Sequence, residues 1–221
     1  MLVNGARLAP DSSGALWWPE QAALVVADLH FEKASAYARR GVFLPPYDSA
    51  AILTGLEGLL AHRDARTVIC LGDSFHDQDG PARLGPEERA RLAALQRGRD
   101  WIWIEGNHDA GSAAALGGRA LAELALGPLT FRHEPTPGAV AGEVAGHLHP
   151  KAAVVVQGRR AVRRCFATDG VRLVLPAFGA LAGGLCVLDR AFARLFAGPF
   201  TAHLLGGATV HAFPSDRLAP V

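Results

Sequence analysis

Side chains able to hold a metal ion recur at the ends of apolar runs in this 221-residue chain. The stretch Gly146-His147-Leu148-His149-Pro150 sets two imidazoles one residue apart, just after Val144-Ala145. In an extended segment residues i and i+2 project to one face, so His147 and His149 are expected to aim into one small volume. Alone, such a pair in a loop is ordinary. Three earlier apolar runs end in the same chemistry: Asp28 and His30 follow Ala22 to Ala27, Asp73 follows Thr67 to Leu71 behind Gly72, and Asn107 with His108 follows Trp101 to Ile104. His133 closes a further run that begins at Leu129. A set of Asp, Asn and His without thiolate suits Mn, Fe, Zn or similar ions. One tetrahedral site takes three or four ligands, so these side chains suffice for two ions. A carboxylate is the natural bridge between two ions, and Asp73, alone on its strand end, is the candidate. Two ions so placed can clamp a phosphate and activate a water.

The elements that must position these residues follow from the apolar pattern. Ala22–Ala27, Thr67–Leu71 and Trp101–Ile104 read as strands covered on both faces. Ala15–Trp18 reads as a short strand stopped by Pro19. Helices are expected over Phe31–Arg40, stopped by Gly41; from Asp48 or Ser49, either able to cap it, to about His62; over Pro86–Gln96; and over roughly Ala113–Leu124. Leu44-Pro45-Pro46-Tyr47 is a rigid loop, because two prolines fit neither a helix interior nor a central strand. Strand, polar loop and helix thus alternate three times, which implies a βαβ arrangement with the chemistry at one sheet edge. After Leu124 the texture becomes strand-rich: Leu129–His133, Glu143–Ala145, Ala152–Val156, Arg163–Ala167 and Arg172–Leu175, with Val210–Phe213 as a last edge strand.

Length suits one domain spanning 1–221. Half the residues are hydrophobic and 19% charged, as in a soluble globular enzyme and unlike a disordered chain. The net charge of +1 excludes a protein that holds nucleic acid by bulk charge, and leaves that role to a local patch. Cys70, Cys165 and Cys186 are odd in number and widely spaced, and read as reduced thiols of a cytoplasmic protein. The N-terminal residues lack the look of a signal peptide, and no apolar run reaches membrane-spanning length.

Taken in order, Asp28-x-His30, Gly72-Asp73, Gly106-Asn107-His108-Asp109, His133 and Gly146-His147-x-His149 resemble the five motifs of the calcineurin-like metallophosphoesterases. Ala27 to Lys33, Leu44 to Asp48, Phe131 to Pro135 and Leu175 to Ala180 resemble, more narrowly, the bacterial ligase-associated subfamily. The resemblance implies an α/β fold, a four-layer αββα sandwich of two mixed sheets flanked by helices. It implies one ion held by Asp28, His30, Asp73 and His149, and a second by Asp73, Asn107, His133 and His147. Manganese is the expected ion, with iron and zinc as alternatives. His108 would serve as the acid toward the leaving oxygen, with Asp109 as an orienting partner. The activity implied is hydrolysis of phosphodiesters by a metal-activated hydroxide, on DNA ends or single strands during repair, in association with a DNA ligase, a helicase and a nuclease-like protein. The alternatives are a small-molecule or cyclic-nucleotide phosphodiesterase, a phosphomonoesterase, and a protein-interaction scaffold on the same fold; the last tends to lose the ligands and the acid that are present here.

Other polar residues receive plainer readings. His76 and Asp77 are expected in loop or supporting roles, and His62, His203 and His211 on the surface. Arg39-Arg40 reads as a solvated helix end ahead of a phosphate clamp, with Arg132 a further candidate for a phosphate. Trp101 and Trp103 alternate with Ile and are expected to pack on the sheet.

Overall fold

The chain opens with a small hairpin, β1 (Leu2–Val3) with β2 (Ala6–Arg7), and then β3 (Ala9–Pro10), β4 (Leu16–Trp18) and β5 (Ala23–Val26). The computed structural model describes residues 1–108, 111–138, 140–196 and 198–221; Asp109 lies outside the described residues. Two helices follow, α1 (Lys33–Ala38) and α2 (Asp48–Ala61), then β6 (Thr67–Leu71), α3 (Gly80–Arg83), α4 (Pro86–Gln96) and β7 (Asp100–Ile104). The rest is strand-rich: β8 (Arg119–Leu121), β9 (Leu124–Leu126), β10 (Leu129–Arg132), β11 (Glu143–Ala145), β12 (Lys151–Val156), β13 (Arg159–Thr168) and β14 (Leu173–Val174). The helix α5 (Arg190–Ala193) precedes β15 (Thr201–Leu205) and β16 (Val210–Pro214).

The first sheet has the order β3-β4-β5-β6-β7-β8, parallel from β5 onward. Strands β5, β6 and β7 are apolar on both faces because both are covered. Leu24, Val26, Val68, Cys70, Trp101 and Trp103 meet α2 and α4, while Val25, Ile69, Leu71, Ile102 and Ile104 face the second sheet. The second sheet runs β16-β15-β13-β14-β11-β10-β9, with β12 paired to β13. Its β10, β11 and β14 are mutually parallel and the other pairings antiparallel. Its inner residues Leu129, Phe131, Val144, Phe166 and Leu173 complete the core between the sheets. Burying one such side chain stabilises by about 1.5–3 kcal/mol, so this interface locks the two sheets together. The outer face, with Val154, Cys165 and Leu204, is closed by Val187, Phe192, Leu195 and Phe196 from around α5. The layers are therefore helices, sheet, sheet and a thin helical cover, the αββα order the family resemblance implies. No helix among the described residues is long and apolar enough to cross a membrane.

Several local expectations change. The helix expected over 113–124 is a short 3-10 turn, Ser112–Leu116, followed by β8 and β9. Alanine favours a helix, but the left-handed pair Gly117-Gly118 ends it, and β8 finds a parallel partner in β7. The helix expected from Phe31 begins only at Lys33, because Glu32 is left-handed and Phe31 bridges to Phe75. Neither Asp48 nor Ser49 caps α2; both side chains reach back to the start of α1. Strand β15, which carries no strong pattern of its own, pairs with both β13 and β16, leaving β16 at the edge.

Candidate metal centre

Strands β5, β6 and β7 run parallel and end together, so the loops after them meet at one edge. Backbone hydrogen bonds knit the first two loops: His30 N–H donates to Asp73 O (2.9 Å), Phe31 N–H to Ser74 O (2.8 Å) and His76 N–H to Phe31 O (3.0 Å). The second sheet brings its own loops to the same edge, with Gly146 N–H donating to His133 O (3.0 Å).

Two sets of donors result. Asp28, His30 and His149 form one; Asp73, His133 and His147 form the other; within each set the ligand atoms all lie within 4.8 Å of one another. His149 Nε2 is 3.2 Å from Asp28 Oδ1 and 3.4 Å from His30 Nε2. His133 Nε2 is 3.4 Å from Asp73 Oδ1 and 3.2 Å from His147 Nδ1. The sets adjoin, since His133 Nδ1 is 3.8 Å from Asp28 Oδ1. Asp73 groups with the second set, and its Oδ1 also accepts the His108 N–H (3.1 Å).

His147 and His149 divide between the two sets, but not because they share the face of an extended segment. Both are left-handed, at φ 66° and 46°. So are Asp28 (52°), His30 (51°) and Asp73 (43°). A left-handed residue other than glycine costs about 1–3 kcal/mol and concentrates at functional sites. Five of the eight expected site residues carry this conformation, which swings each side chain off its strand end toward the shared edge.

The surroundings suit cations. Asp28 is fully buried and its carboxylate accepts the His147 N–H (3.0 and 3.2 Å). Burial above all, and then the neighbouring His149, push the His30 imidazole down to about 2, so it is neutral. Burial, and then His133, also lower His147. With Nδ1 placed to donate to Leu71 O (2.9 Å), His133 turns the Nε2 lone pair toward Asp73. The close approach of two Nε2 atoms beside a buried carboxylate is an arrangement that a divalent cation satisfies, and N/O donors without thiolate match such ions. The residues fit the metals that the family implies.

Asn107 and His108, both exposed, line a cleft of about 820 Å³ that adjoins the two sets through the rings of His76 and His108, each about 6 Å from that of His30. His108 is half exposed, with Nε2 3.7 Å from Asp73 Oδ2, and its ring stacks on His76 with centroids 5.6 Å apart. The same cleft is lined by Tyr37, Arg39 and Arg40, and by Asp77 and Asp79. The pair Arg39-Arg40 is thus part of the cleft, although Arg39 also forms an exposed ion pair with Asp79 (3.0 Å). Arg132 is not available to a phosphate: it pairs with Glu123 (2.5 Å), lies 3.6 Å from the buried Glu143 and donates to Thr136.

Sequence reasoning missed the residues that hold the loops. Asp48 accepts the Ala34 N–H (2.9 Å), capping α1 from another segment; Ser49 receives the Glu32 N–H (2.9 Å) and donates to the Glu32 carboxylate (2.8 Å). Arg83 joins Ser35 (2.9 Å) to Asp77 (2.9 Å). Phe178 N–H donates to Ala27 O (2.8 Å) and Gly179 N–H to Asp28 O (3.2 Å), which gives the Leu175 to Ala180 stretch a structural purpose. The Leu44 to Asp48 stretch is the sequence signal that points to Asp48.

Comparison with known proteins agrees with this geometry. The calcineurin-like phosphoesterase family matches residues 23–140, just over half the chain. Of solved structures, the chain is similar to the crystal structure of Pseudomonas putida nuclease MPE, at 30% identity over 96% of this chain and 98% of that one, with a TM-score of 0.72. A protein of unknown function from Aquifex aeolicus, AQ665, is 16% identical over 57% of this chain and 78% of that one, with a TM-score of 0.40. No curated protein matches the chain. With two donor sets at the sheet edge, a family match that covers the first four motifs, and a structural neighbour that spans nearly the whole chain, this chain belongs to the calcineurin-like phosphoesterases and is a metal-dependent phosphoesterase.

Proposed function

We propose that the protein is a dinuclear-metal phosphodiesterase that cuts DNA, at ends or in single strands, during repair. The observation that carries this is the pair of donor sets beside a wide cleft, joined to it through His76 and His108, that Arg39 and Arg40 also line. Likeness to a nuclease over nearly the whole of both chains supports nucleic acid as the substrate. On this reading Asp28, His30, Asp73 and His149 hold one ion and Asp73, Asn107, His133 and His147 the other, with Asp73 shared. Manganese is the proposed ion; iron and zinc accept the same donors. When bound, such ions lower the pKa of a water and polarise phosphoryl oxygens.

The chain's own groups do the rest. The His147 and His108 N–H groups hold the Asp28 and Asp73 carboxylates in place. The His133 hydrogen bond to Leu71 O fixes its tautomer. His108, open to the cleft and beside Asp73, delivers a proton to the leaving oxygen. Arg39 and Arg40 steady the flanking phosphates. The subfamily resemblance extends the proposal to a cytoplasmic protein working beside a DNA ligase, a helicase and a nuclease-like protein.

The net charge of +1 favours a rival, a small diester such as a cyclic nucleotide. Intact donor sets and His108 speak against a mere scaffold. Turnover of bis-p-nitrophenyl phosphate should require added Mn²⁺ and vanish in Asp73→Ala; turnover that survives the substitution would exclude the metal-centred reading. Labelled single-stranded DNA set against cyclic nucleotides then decides the substrate, DNA being the one expected to be cleaved.

A further inference from the structure

We infer that the segment from Val42 to Tyr47 is a base-stacking platform that draws strands with unpaired bases into the cleft. This rests on the nuclease reading above. The chain has sixteen aromatic residues, and only Phe43 and Tyr47 are exposed, at 85% and 73% of their surface. A single exposed apolar residue needs no explanation. Here both fall within five residues, beside the exposed Val42 (48%), and directly follow Tyr37, Arg39 and Arg40 of the cleft wall.

The segment is also held still. At its start Gly41 N–H donates to Ala38 O (3.0 Å) and Val42 N–H to Tyr37 O (3.0 Å). At its end Tyr47 O accepts the Ala51 N–H (2.9 Å), while Asp48 and Ser49 tie the chain back to α1. Pro45 and Pro46 stiffen what lies between. Phe43 and Tyr47 are therefore carried on an anchored segment that follows the cleft residues Arg39 and Arg40 directly, which lowers the ordering cost of binding.

Every base has a face that stacks on an aromatic ring, without regard to sequence, but bases paired in a duplex keep theirs hidden. Lys33 at the start of α1 and Arg40 just beyond its end place positive charge for the backbone of the strand, beside Arg39, which also pairs with Asp79. Stacking also accounts for how a chain of net charge +1 can hold a polyanion: affinity comes from ring faces and a few arginines, and its dependence on salt is shallow.

The test compares the full-length protein with its Phe43→Ala/Tyr47→Ala variant in Mn²⁺, on three substrates: a single-stranded oligonucleotide, the same strand carrying abasic sites, and bis-p-nitrophenyl phosphate. Stacking predicts a loss in kcat/KM on the normal strand about tenfold or more beyond any loss on the small diester, carried by KM. On the abasic strand the excess should largely disappear, and Phe43→Trp/Tyr47→Phe should restore cutting. An equal loss on all three substrates would show a structural role and overturn the inference. Unchanged cutting of the normal strand would overturn it too, and leave the patch to a protein partner. A wild-type protein that turns over the small diester but no oligonucleotide would instead overturn the nuclease reading, and the platform with it.

Discussion

The two sheets hold their shares of the candidate centre by different means. The loops after β5 and β6 carry Asp28, His30 and Asp73 and are sewn to each other by backbone hydrogen bonds. The loops after β10 and β11 carry His133, His147 and His149, and lean on buried charge and close packing. Glu143 and Arg172 are 0% and 1% exposed and form an ion pair at 2.9 Å; Arg172 also donates to Thr136 O (2.8 Å) and Leu195 O (3.1 Å). His133 itself rests against Gly72, where an added Cβ would lie 2.4 Å from the ring. Backbone pairing depends little on side-chain identity. Buried charge and a missing Cβ depend on it wholly, so single substitutions should damage the second share more than the first.

Breaking the ion pair should have the largest effect. Arg172→Met leaves the buried Glu143 with only the Thr136 N–H (3.0 Å) and the more distant Arg132 (3.6 Å) as partners, which costs up to about 3–5 kcal/mol; urea denaturation at pH 7 measures it, and a cost below about 1 kcal/mol would remove the pair from the comparison. Gly72→Ala comes next. It places a Cβ into the His133 ring at a residue with φ +70°, for about 2–3 kcal/mol of strain and overpacking. Because it displaces a proposed ligand, Mn²⁺-dependent turnover should fall by about 10–100-fold, and calorimetry should find one Mn²⁺ weakened more than the other. On the first sheet's side, Asp48→Ala removes the cap of α1 and should cost only about 1 kcal/mol, read as a small shift in the urea midpoint.

The mildest test uses pH on metal-free protein. The folded His30 stays neutral where the unfolded chain takes up a proton, below about 6.5. Its contribution is therefore complete above that pH and is lost as pH falls toward about 2, at up to about 1.4 kcal/mol per unit. His30→Asn should flatten the decline between pH 6.5 and 5; an unchanged slope would mean that this imidazole is not the one resisting protonation.

Legibility in the sequence followed the strength of local pattern. β5, β6 and β7 were plain as unbroken apolar runs, since strands covered on both faces have no polar side to show. The eight proposed site residues were visible as polar endings to such runs. The alanine-rich segment before β8 misled, because helix propensity is a few tenths of a kcal/mol per residue and pairing with β7 outweighs it. The role of Arg132 was hidden because its partners, Glu123 and Glu143, are far enough away that no local signal joins them.

By itself, then, the sequence determined the donor types, their order along the chain and the buried strands that end in them, all of which depend on neighbours in the chain. The family resemblance already divided His147 and His149 between two donor sets; tertiary structure alone decided the left-handed turns that make the division possible and the cleft lined by Arg39, Arg40, Asn107 and His108. Those depend on which strand ends meet at one edge, a matter of register between strands that no short stretch of sequence records.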